Sequence, residues 1–266
     1  MDAHKGEASI MAGGVGLLAF MKERLVDPQY VVDVKGIKEL QVLDGNATEG
    51  ITIGAAVNMN QLLVFGPLKE SYKALWDCIS LLSDPVLRNR TTLMGDVCEA
   101  LPYVDGPTPL LVFDTEIEAA SVKGTRRIPM LEFIKGPAET ALEPNEVAVA
   151  FRVRLPCSNS RSIFLKHTSK SEFSIANVAA LCCNPSTPDA RIVRFAYGGV
   201  GTRPIRVDEI ERLFRQNVPA KELIDEAVKI ISKDAEVVSD VLSREDYRLH
   251  MLGVLSLKAL SFLLRS

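Results

Sequence analysis

Hydrophobic positions recur at helical spacing in one central segment of the chain. Tyr72, Leu75, Trp76 and Ile79 follow the i, i+3, i+4, i+7 pattern, and Leu82 continues it. This spacing places the side chains on one face of a helix. The pattern predicts a helix over 72–82 with that face buried. Trp76, the only tryptophan, is therefore interpreted as a core residue rather than as a surface on which a ligand stacks.

Comparable patterns predict the remaining regular elements. Helices are predicted over 15–24, 207–215, 220–232 and 244–264. Strands are predicted over 30–34, 51–55, 109–114, 116–121, 126–130, 147–155, 162–167, 175–183 and 191–197. A turn at Gly45-Asn46 is predicted between the first two strands. The residues predicted to be buried in the last helix include Leu252, Leu255, Ala259, Phe262 and Leu263.

Residues 91–105 fit neither a helix nor a strand. Gly95 and Pro102 interrupt this segment, and no apolar stripe runs through it. We therefore predict a long ordered loop between the helix over 72–82 and the strand over 109–114. A long ordered loop between regular elements is often functional. Its hydroxyls, glycine and small residues would allow the backbone to approach a ligand closely.

A glycine-rich segment lies upstream, over residues 11–18. Gly13, Gly14 and Gly16 permit positive φ, so that consecutive backbone N–H groups can point at one anion. The segment lacks the G-x-G-x-x-G spacing of the dinucleotide fingerprint and the Lys-Ser/Thr ending of a P-loop. Taken alone, this segment and residues 91–105 are each better explained as plain turns.

The composition narrows the class of protein. The chain has 266 residues, 47% hydrophobic and 24% charged, with a formal net charge of −3, which is typical of a globular protein without a nucleic-acid-binding surface. It has no apolar run of the roughly 18 residues that a membrane span needs, and residues 1–7 lack the apolar core of a signal peptide. These features predict a cytoplasmic protein.

The five cysteines do not form a recognisable framework. Cys78, Cys98, Cys157, Cys182 and Cys183 include no C-x-x-C pair, and an odd number without a secretory signal argues against structural disulfides. Cys182 and Cys183 end an apolar strand and are predicted to be buried, whereas Cys98 is placed near a ligand. Without a cysteine or histidine cluster, we expect the chain to hold neither zinc nor an iron–sulfur cluster of its own.

A polar segment of small residues over 156–160 is the best candidate for a domain boundary. It divides the chain into a domain over 1–156 and a domain over 160–266. The first would hold the ligand, and the second would combine a three-stranded sheet with helices. The predicted fold class is therefore α+β.

Several motifs, taken together and in order, resemble one known family. They are A-G-G-x-x-L-L-x-x-M-K from Ala12, V-D-V-K-G-I-K-E-L from Val32, I-x-I-G-A from Ile51, and R-N-R-x-T-L-x-G-D-x-C-x-A-x-P-x-x-D from Arg88. The family is that of the FAD-binding (medium) subunits of molybdenum hydroxylases, such as those of carbon monoxide dehydrogenase and xanthine dehydrogenase-like enzymes. The resemblance covers nearly the whole chain from Ala12.

The resemblance implies a fold and a set of cofactor contacts. The first domain would have the FAD-binding fold shared with p-cresol methylhydroxylase and vanillyl-alcohol oxidase, shortened at its N-terminus, and the second the family's flavoprotein C-terminal domain. Two loops would hold the FAD pyrophosphate, Asp105 would accept hydrogen bonds from the adenosine side, and Lys166 would lie near the flavin ring. The implied FAD-binding residues are Ala12, Gly13, Gly14, Val15, Gly16, Leu17, Thr92, Gly95, Asp96, Glu99, Asp105 and Lys166.

Read without the family, two of these residues have simpler explanations. Asp105 would cap the turn before Pro107, and Lys166 would be a solvated lysine on a strand.

The resemblance also implies partners. A molybdopterin-binding large subunit would act on a substrate, and a small subunit with [2Fe-2S] clusters would pass electrons to non-covalently bound FAD on this chain. NAD or another acceptor would then be reduced, within a hetero-oligomeric oxidoreductase. A stand-alone flavin oxidase is a weaker alternative, because His4, His167 and His250 lack a setting that would tether a flavin.

Three departures from the family pattern favour a second hypothesis, a structural subunit that no longer binds FAD. Met94 stands where the family has glycine, beside the presumed phosphates, and Asp96 stands where it has asparagine. An ionised Asp96 would repel a pyrophosphate unless it pointed elsewhere or bonded a ribose or a backbone N–H. Eleven residues precede Ala12, where members usually carry about one further strand–helix–strand unit, so part of the cradle would be missing or supplied by another subunit.

Overall fold

The computed structural model describes residues 2–4, 6–46, 50–168, 173–216 and 218–264. Its first 156 residues are rich in both strands and helices. The strands are β1 (Ala8–Met11), β2 (Tyr30–Asp33), β3 (Leu43–Asn46), β4 (Gly50–Gly54), β5 (Glu116–Ser121), β6 (Gly124–Pro129), β7 (Ile134–Gly136), β8 (Glu139–Thr140) and β9 (Val147–Val153). The helices are α1 (Val15–Lys22), α2 (Met59–Val64), α3 (Gly66–Ser71), α4 (Lys73–Leu81), α5 (Pro85–Arg88), α6 (Leu93–Glu99), α7 (Pro107–Val112) and α8 (Met130–Phe133).

The second part of the chain forms one sheet backed by helices. Its elements are β10 (Ser160–Thr168), β11 (Ser174–Cys183), β12 (Ile192–Gly198), β13 (Ile205–Arg206), α9 (Asp208–Leu213), α10 (Ala220–Asp234) and α11 (Glu245–Leu263). The three predicted strands are confirmed, and the two-residue β13 extends the antiparallel sheet in the order β10-β11-β12-β13. Among the described residues, no helix is both long enough and apolar enough to cross a membrane.

The strands of the first part form separate sheets. β1 and β2 pair in parallel around α1, which makes a βαβ unit. An antiparallel sheet follows in the order β3-β4-β9-β5-β6, and β7 pairs with β8. Strand β1 was not predicted from the sequence, because four residues give too short a pattern.

Strand β11 joins the two parts of the molecule, because both of its faces are buried. Ala179 and Leu181 belong to the core that contains α4 and α7 of the first part. Ala176, Val178 and Ala180 belong to the core formed with α9, α10 and α11. Alternate residues of a strand point to opposite faces, so the continuous apolar run of β11 follows from burial on both sides.

The segment over 107–112 corrects one prediction, because it is helix α7 rather than part of a strand over 109–114. A short, wholly apolar run does not distinguish a strand from a buried helix by its period, and all six residues of α7 are buried. Pro107 and Pro109 fall in the first turn of the helix, where the missing N–H groups would have had no intrahelical acceptor.

The segment over 91–105 corrects a second prediction, because it contains helix α6 instead of forming a loop throughout. The Thr92 hydroxyl caps the helix by accepting a hydrogen bond from the N–H of Gly95 at 3.0 Å. Leu93, Met94 and Val97 are buried in the core. The cap and this burial offset the roughly 1 kcal/mol by which glycine is less favourable than alanine within a helix.

Two smaller predictions were also wrong. Gly45 and Asn46 belong to β3 and pair with Ile51 and Gly50, so the connection to β4 falls at 47–49, outside the described residues. Phe262 is 40% exposed, although the other residues predicted to be buried in α11 are buried.

The interpretation of Trp76 as a packing residue agrees with its position. Trp76 lies partly buried against the core, and its indole N–H donates to the carbonyl oxygen of Leu63 at 3.2 Å.

Candidate functional site

The glycine loop, residues 12–16, runs from the end of β1 into the first turn of α1. Gly14 is the N-cap of α1 and has φ 78°, a left-handed conformation that glycine adopts readily. Glycine has no side chain that could cap the helix, so the N–H groups of Val15, Gly16 and Leu17 have no acceptor within α1. These three N–H groups make the loop a potential anion-binding element.

The loop is held in place by the segment before α6. The Arg90 guanidinium donates through two nitrogens to the carbonyl oxygen of Gly13, each at 3.4 Å. A Cβ added to Gly13 would overlap the carbonyl oxygen of Arg90. Gly13 is therefore required by close backbone packing within the protein itself, in addition to any contact with a ligand.

A cavity of about 290 Å³ lies between the glycine loop and α6. Its volume is at the low end of the roughly 300–1,000 Å³ found for small-molecule sites, so it would suit part of a dinucleotide. Its lining consists of Ser9, Ile10, Met11, Ala12, Gly13, Gly14, Val15, Gly16, Leu17, Phe20, Thr91, Thr92, Gly95, Asp96, Cys98 and Glu99. The structure thus brings together the predicted loop residues from Ala12 to Leu17 and the predicted Thr92, Gly95, Asp96 and Glu99.

Two carboxyl groups in this wall belong to consecutive turns of α6. Asp96 accepts a hydrogen bond from the N–H of Gly106 at 2.9 Å. Burial, followed by the nearby charges of Asp105 and Glu99, raises the pKa of Asp96 to about 8. Burial alone raises the pKa of Glu99 to about 7. Near neutral pH, Asp96 is therefore mostly protonated and Glu99 about half protonated.

The cysteine predicted near a ligand also lines the cavity. Burial, and secondarily the charge of Glu99, raises the pKa of Cys98 to about 12. Its thiol therefore stays protonated at neutral pH. It forms a small, polarisable part of the cavity wall and is not a nucleophile.

Asp105 and Lys166 form an ion pair with each other and are not among the residues that line this cavity. The Lys166 ammonium lies 2.7 Å from one Asp105 carboxylate oxygen, and the two side chains are 8% and 2% exposed. Ser174 and Asn177 donate to the other oxygen at 2.5 and 2.8 Å. Lys166 is therefore not a solvated strand lysine, and Asp105 links the segment after α6 to β10 and β11.

The family pattern implied that Met94 would lie beside the presumed phosphates, but it does not. It is 4% exposed and packs in the core, because α6 turns it away from the cavity that Gly95 and Asp96 line. Five further lining residues were not predicted from the sequence: Ser9, Ile10, Met11, Phe20 and Thr91. Only Phe20 had a usable signal, since it follows Gly16 by four residues and shares its face of α1.

The cavity fits a phosphate-bearing group provided that Asp96 and Glu99 are protonated. The start of α1 offers uncapped N–H groups, and the glycines keep the loop free of side chains. The described lining residues include two acids and no lysine or arginine. An anion is therefore attracted by the helix terminus and opposed by Asp96 and Glu99 whenever these are ionised.

Comparison with known proteins identifies the fold. Residues 1–157 match the family described as the FAD binding domain in molybdopterin dehydrogenase. The chain belongs to this family. Residues 164–262 match the C-terminal domain of the CO dehydrogenase flavoprotein, so the resemblance to molybdenum hydroxylase medium subunits and the α+β fold class are both confirmed. The chain is thus an oxidoreductase component of the molybdenum hydroxylase type.

Individual members of the family are similar over almost their full lengths. The xanthine dehydrogenase FAD-binding subunit of Escherichia coli O157:H7 is 26% identical over 262 residues, which cover 97% of this chain and 89% of that protein. The glyceraldehyde dehydrogenase medium chain of Sulfolobus acidocaldarius is 28% identical over 254 residues, 94% of this chain and 88% of that protein.

A solved structure shows the same fold. It is that of the carbon monoxide dehydrogenase from Hydrogenophaga pseudoflava that lacks the Mo-pyranopterin moiety of its cofactor. It superimposes with a TM-score of 0.93 at 25% identity, covering 98% of this chain and 91% of that one.

Proposed function

We propose that this chain is the FAD-binding electron-transfer subunit of a multi-subunit molybdenum hydroxylase or dehydrogenase. It would receive electrons from a subunit with [2Fe-2S] clusters and pass them to NAD or another acceptor. A separate molybdopterin-binding large subunit would carry out the substrate chemistry. FAD would supply the redox chemistry, and the residues of this chain would bind and orient it.

The observation that carries the proposal is the uncapped start of α1 in the cavity wall. Val15, Gly16 and Leu17 present N–H groups there, and Thr92 and Gly95 approach from α6 on the other side. An anion between the two elements would satisfy donors that the helix itself leaves without acceptors. Because the cavity is large enough for only part of a dinucleotide, the rest of the FAD would lie on the protein surface next to it.

In this proposal, Asp105 and Lys166 shape the site without lining the cavity. Asp105 lies next to Gly106, whose N–H is bonded to Asp96, and its ion pair with Lys166 anchors the segment to β10. The pair would therefore position α6 relative to the C-terminal sheet. We place the domains at 1–156 and 160–266, which the two matched family ranges, 1–157 and 164–262, support.

One observation favours a second candidate, a structural subunit that has lost FAD. The two acids in the cavity wall oppose an anion when ionised, and the described lining residues offer no basic side chain. The fold and its contacts with other subunits would then be retained without the cofactor. The two candidates differ in a directly measurable quantity, which is the flavin content of the native protein.

The deciding experiment is to purify the native complex that contains this chain, release its cofactors by denaturation and identify them. Electron transfer through this chain requires about one FAD per copy. A complex with iron–sulfur absorption but no releasable flavin at any purification pH would refute the proposal and support the structural subunit. Stopped-flow reoxidation of the reduced complex by NAD⁺ or by a quinone would then identify the acceptor.

A further inference from the structure

The cavity combines a potential anion site at the start of α1 with two acidic residues in its wall. Asp96 and Glu99 are three residues apart on α6, so they share one face of the helix, and both line the cavity. A Cβ added to Gly16 would collide with a carboxyl oxygen of Glu99. The Glu99 carboxyl therefore lies against the first turn of α1, where the uncapped N–H groups are.

We propose that the carboxyl groups of Asp96 and Glu99 make FAD binding proton-linked, so that the pyrophosphate is held while both are neutral and is released as they ionise. This inference rests on the proposed function, because it concerns the same site. A neutral carboxyl can donate a hydrogen bond to a phosphate oxygen, whereas a carboxylate only accepts and repels it. The two acids would then replace the basic side chain that the described lining lacks.

The surroundings of the two acids set the pH range of this linkage. Besides Glu99, the groups that face Asp96 are Asp105, which raises its pKa, and the Gly106 N–H and Lys166, which lower it. Burial outweighs the two effects that lower the pKa of Asp96 and, with the nearby acids, places it at about 8. Burial alone places the pKa of Glu99 at about 7. The neighbouring thiol and phenol groups are neutral over this range, since the pKa values of Cys78, Cys98 and Tyr103 are all raised.

The expected size of the effect follows from these values. If only the doubly protonated cavity binds FAD, the dissociation constant rises about 20-fold between pH 6 and pH 8. Binding at pH 7.5 takes up about one proton per FAD, because on average one of the two acids is ionised in the free protein at that pH. Phosphate diesters do not titrate in this range, so the proton comes to the protein.

The test is titration of FAD into the full chain at several pH values between 6 and 8.5, followed by quenching of the flavin fluorescence. Calorimetry at pH 7.5 in two buffers of different ionisation enthalpy gives the number of protons taken up. Asp96→Asn combined with Glu99→Gln keeps both shapes but cannot ionise, so its affinity should be high and independent of pH. Glu99→Gln alone should leave a pH dependence well below 20-fold but at least about twofold between pH 6 and pH 8, because Asp96 still ionises and loses the charge of Glu99 that raises its pKa. This single variant serves if the double variant does not fold.

Glu222→Gln is the matched control. Glu222 is an exposed acid of α10, outside the cavity lining, and its substitution should leave the pH dependence of the parent unchanged. Parent affinity that is constant from pH 6 to pH 8.5, or binding without proton uptake, would overturn the inference and leave the proposed function standing. If the folded parent and variants bind no FAD at any pH, the proposed function itself fails, and the inference fails with it.

Discussion

A substitution at Gly95 should weaken FAD binding while it leaves folding almost unchanged. Gly95 occupies the first turn of α6 and lines the cavity. A Cβ added there meets only one heavy atom within 4 Å, the Thr92 hydroxyl oxygen at 3.0 Å. The remaining atoms of a larger side chain would extend into the space that the proposed pyrophosphate occupies. We therefore predict that Gly95→Val loses FAD while it keeps its fold.

The magnitudes differ for the two processes. Valine is a few tenths of a kcal/mol more favourable than glycine in a helix, and crowding of the Thr92 cap costs about 1 kcal/mol, so the free energy of unfolding should change by no more than about 1 kcal/mol. Placing three carbons in an occupied site costs about 1–3 kcal/mol. That cost corresponds to an increase of about 5- to 150-fold in the FAD dissociation constant.

The assay compares urea unfolding and FAD titration for the parent, Gly95→Ala, Gly95→Val and Gly36→Val. Gly36 is exposed, and a Cβ added to it meets no heavy atom within 4 Å, so Gly36→Val should match the parent in FAD affinity. Gly95→Ala should fall between the parent and Gly95→Val. Parent-like FAD affinity in a folded Gly95→Val protein would refute the placement of the pyrophosphate beside α6.

Three further predictions concern stability, each measured by urea unfolding. Gly13→Ala should lower the free energy of unfolding by about 1–3 kcal/mol, because its Cβ would overlap the Arg90 carbonyl oxygen; a loss within error would mean that the loop moves freely. Lys166→Met should cost about 3–5 kcal/mol by leaving Asp105 charged and buried, and adding Asp105→Asn should recover most of it; a double variant as unstable as Lys166→Met would contradict this account. Asp96 keeps its proton up to about pH 8 in the folded protein, whereas in the unfolded chain it loses the proton near the ordinary aspartate pKa of 3.8. The free energy of unfolding should therefore fall as the pH rises from about 4 to about 8, by at most about 1.4 kcal/mol per pH unit. Asp96→Asn should remove that part of the pH dependence, and identical slopes would show that Asp96 ionises normally.

The sequence determined the long or strongly patterned elements. The helix predicted over 72–82 is α4, and the strands of the C-terminal sheet lie where their apolar runs predicted them. The order of the glycine loop and the R-N-R-x-T-L-x-G motif also determined the family, and with it most of the residues that line the cavity. These features could be found because periodicity and motif spacing are properties of neighbouring positions.

Only the tertiary structure decided that the segments of α6 and α7 are helical. Helices of six or seven residues have little stability of their own, because nucleation is unfavourable and few bonds repay it. Burial against the rest of the core makes these two segments helical. Their local composition, with Gly95 interrupting one segment and a short apolar run in the other, pointed instead to a loop and a strand.

The electrostatics of the site likewise depended on residues that are distant in sequence. Asp105 and Lys166 are 61 positions apart, and Glu99 meets Gly16 from the opposite wall of the cavity. Whether a carboxyl group is ionised depends on its burial and on the charges around it, neither of which the order of residues displays. The sequence therefore named the acids Asp96 and Glu99, but only the folded chain showed that they share a partly buried wall facing the start of α1.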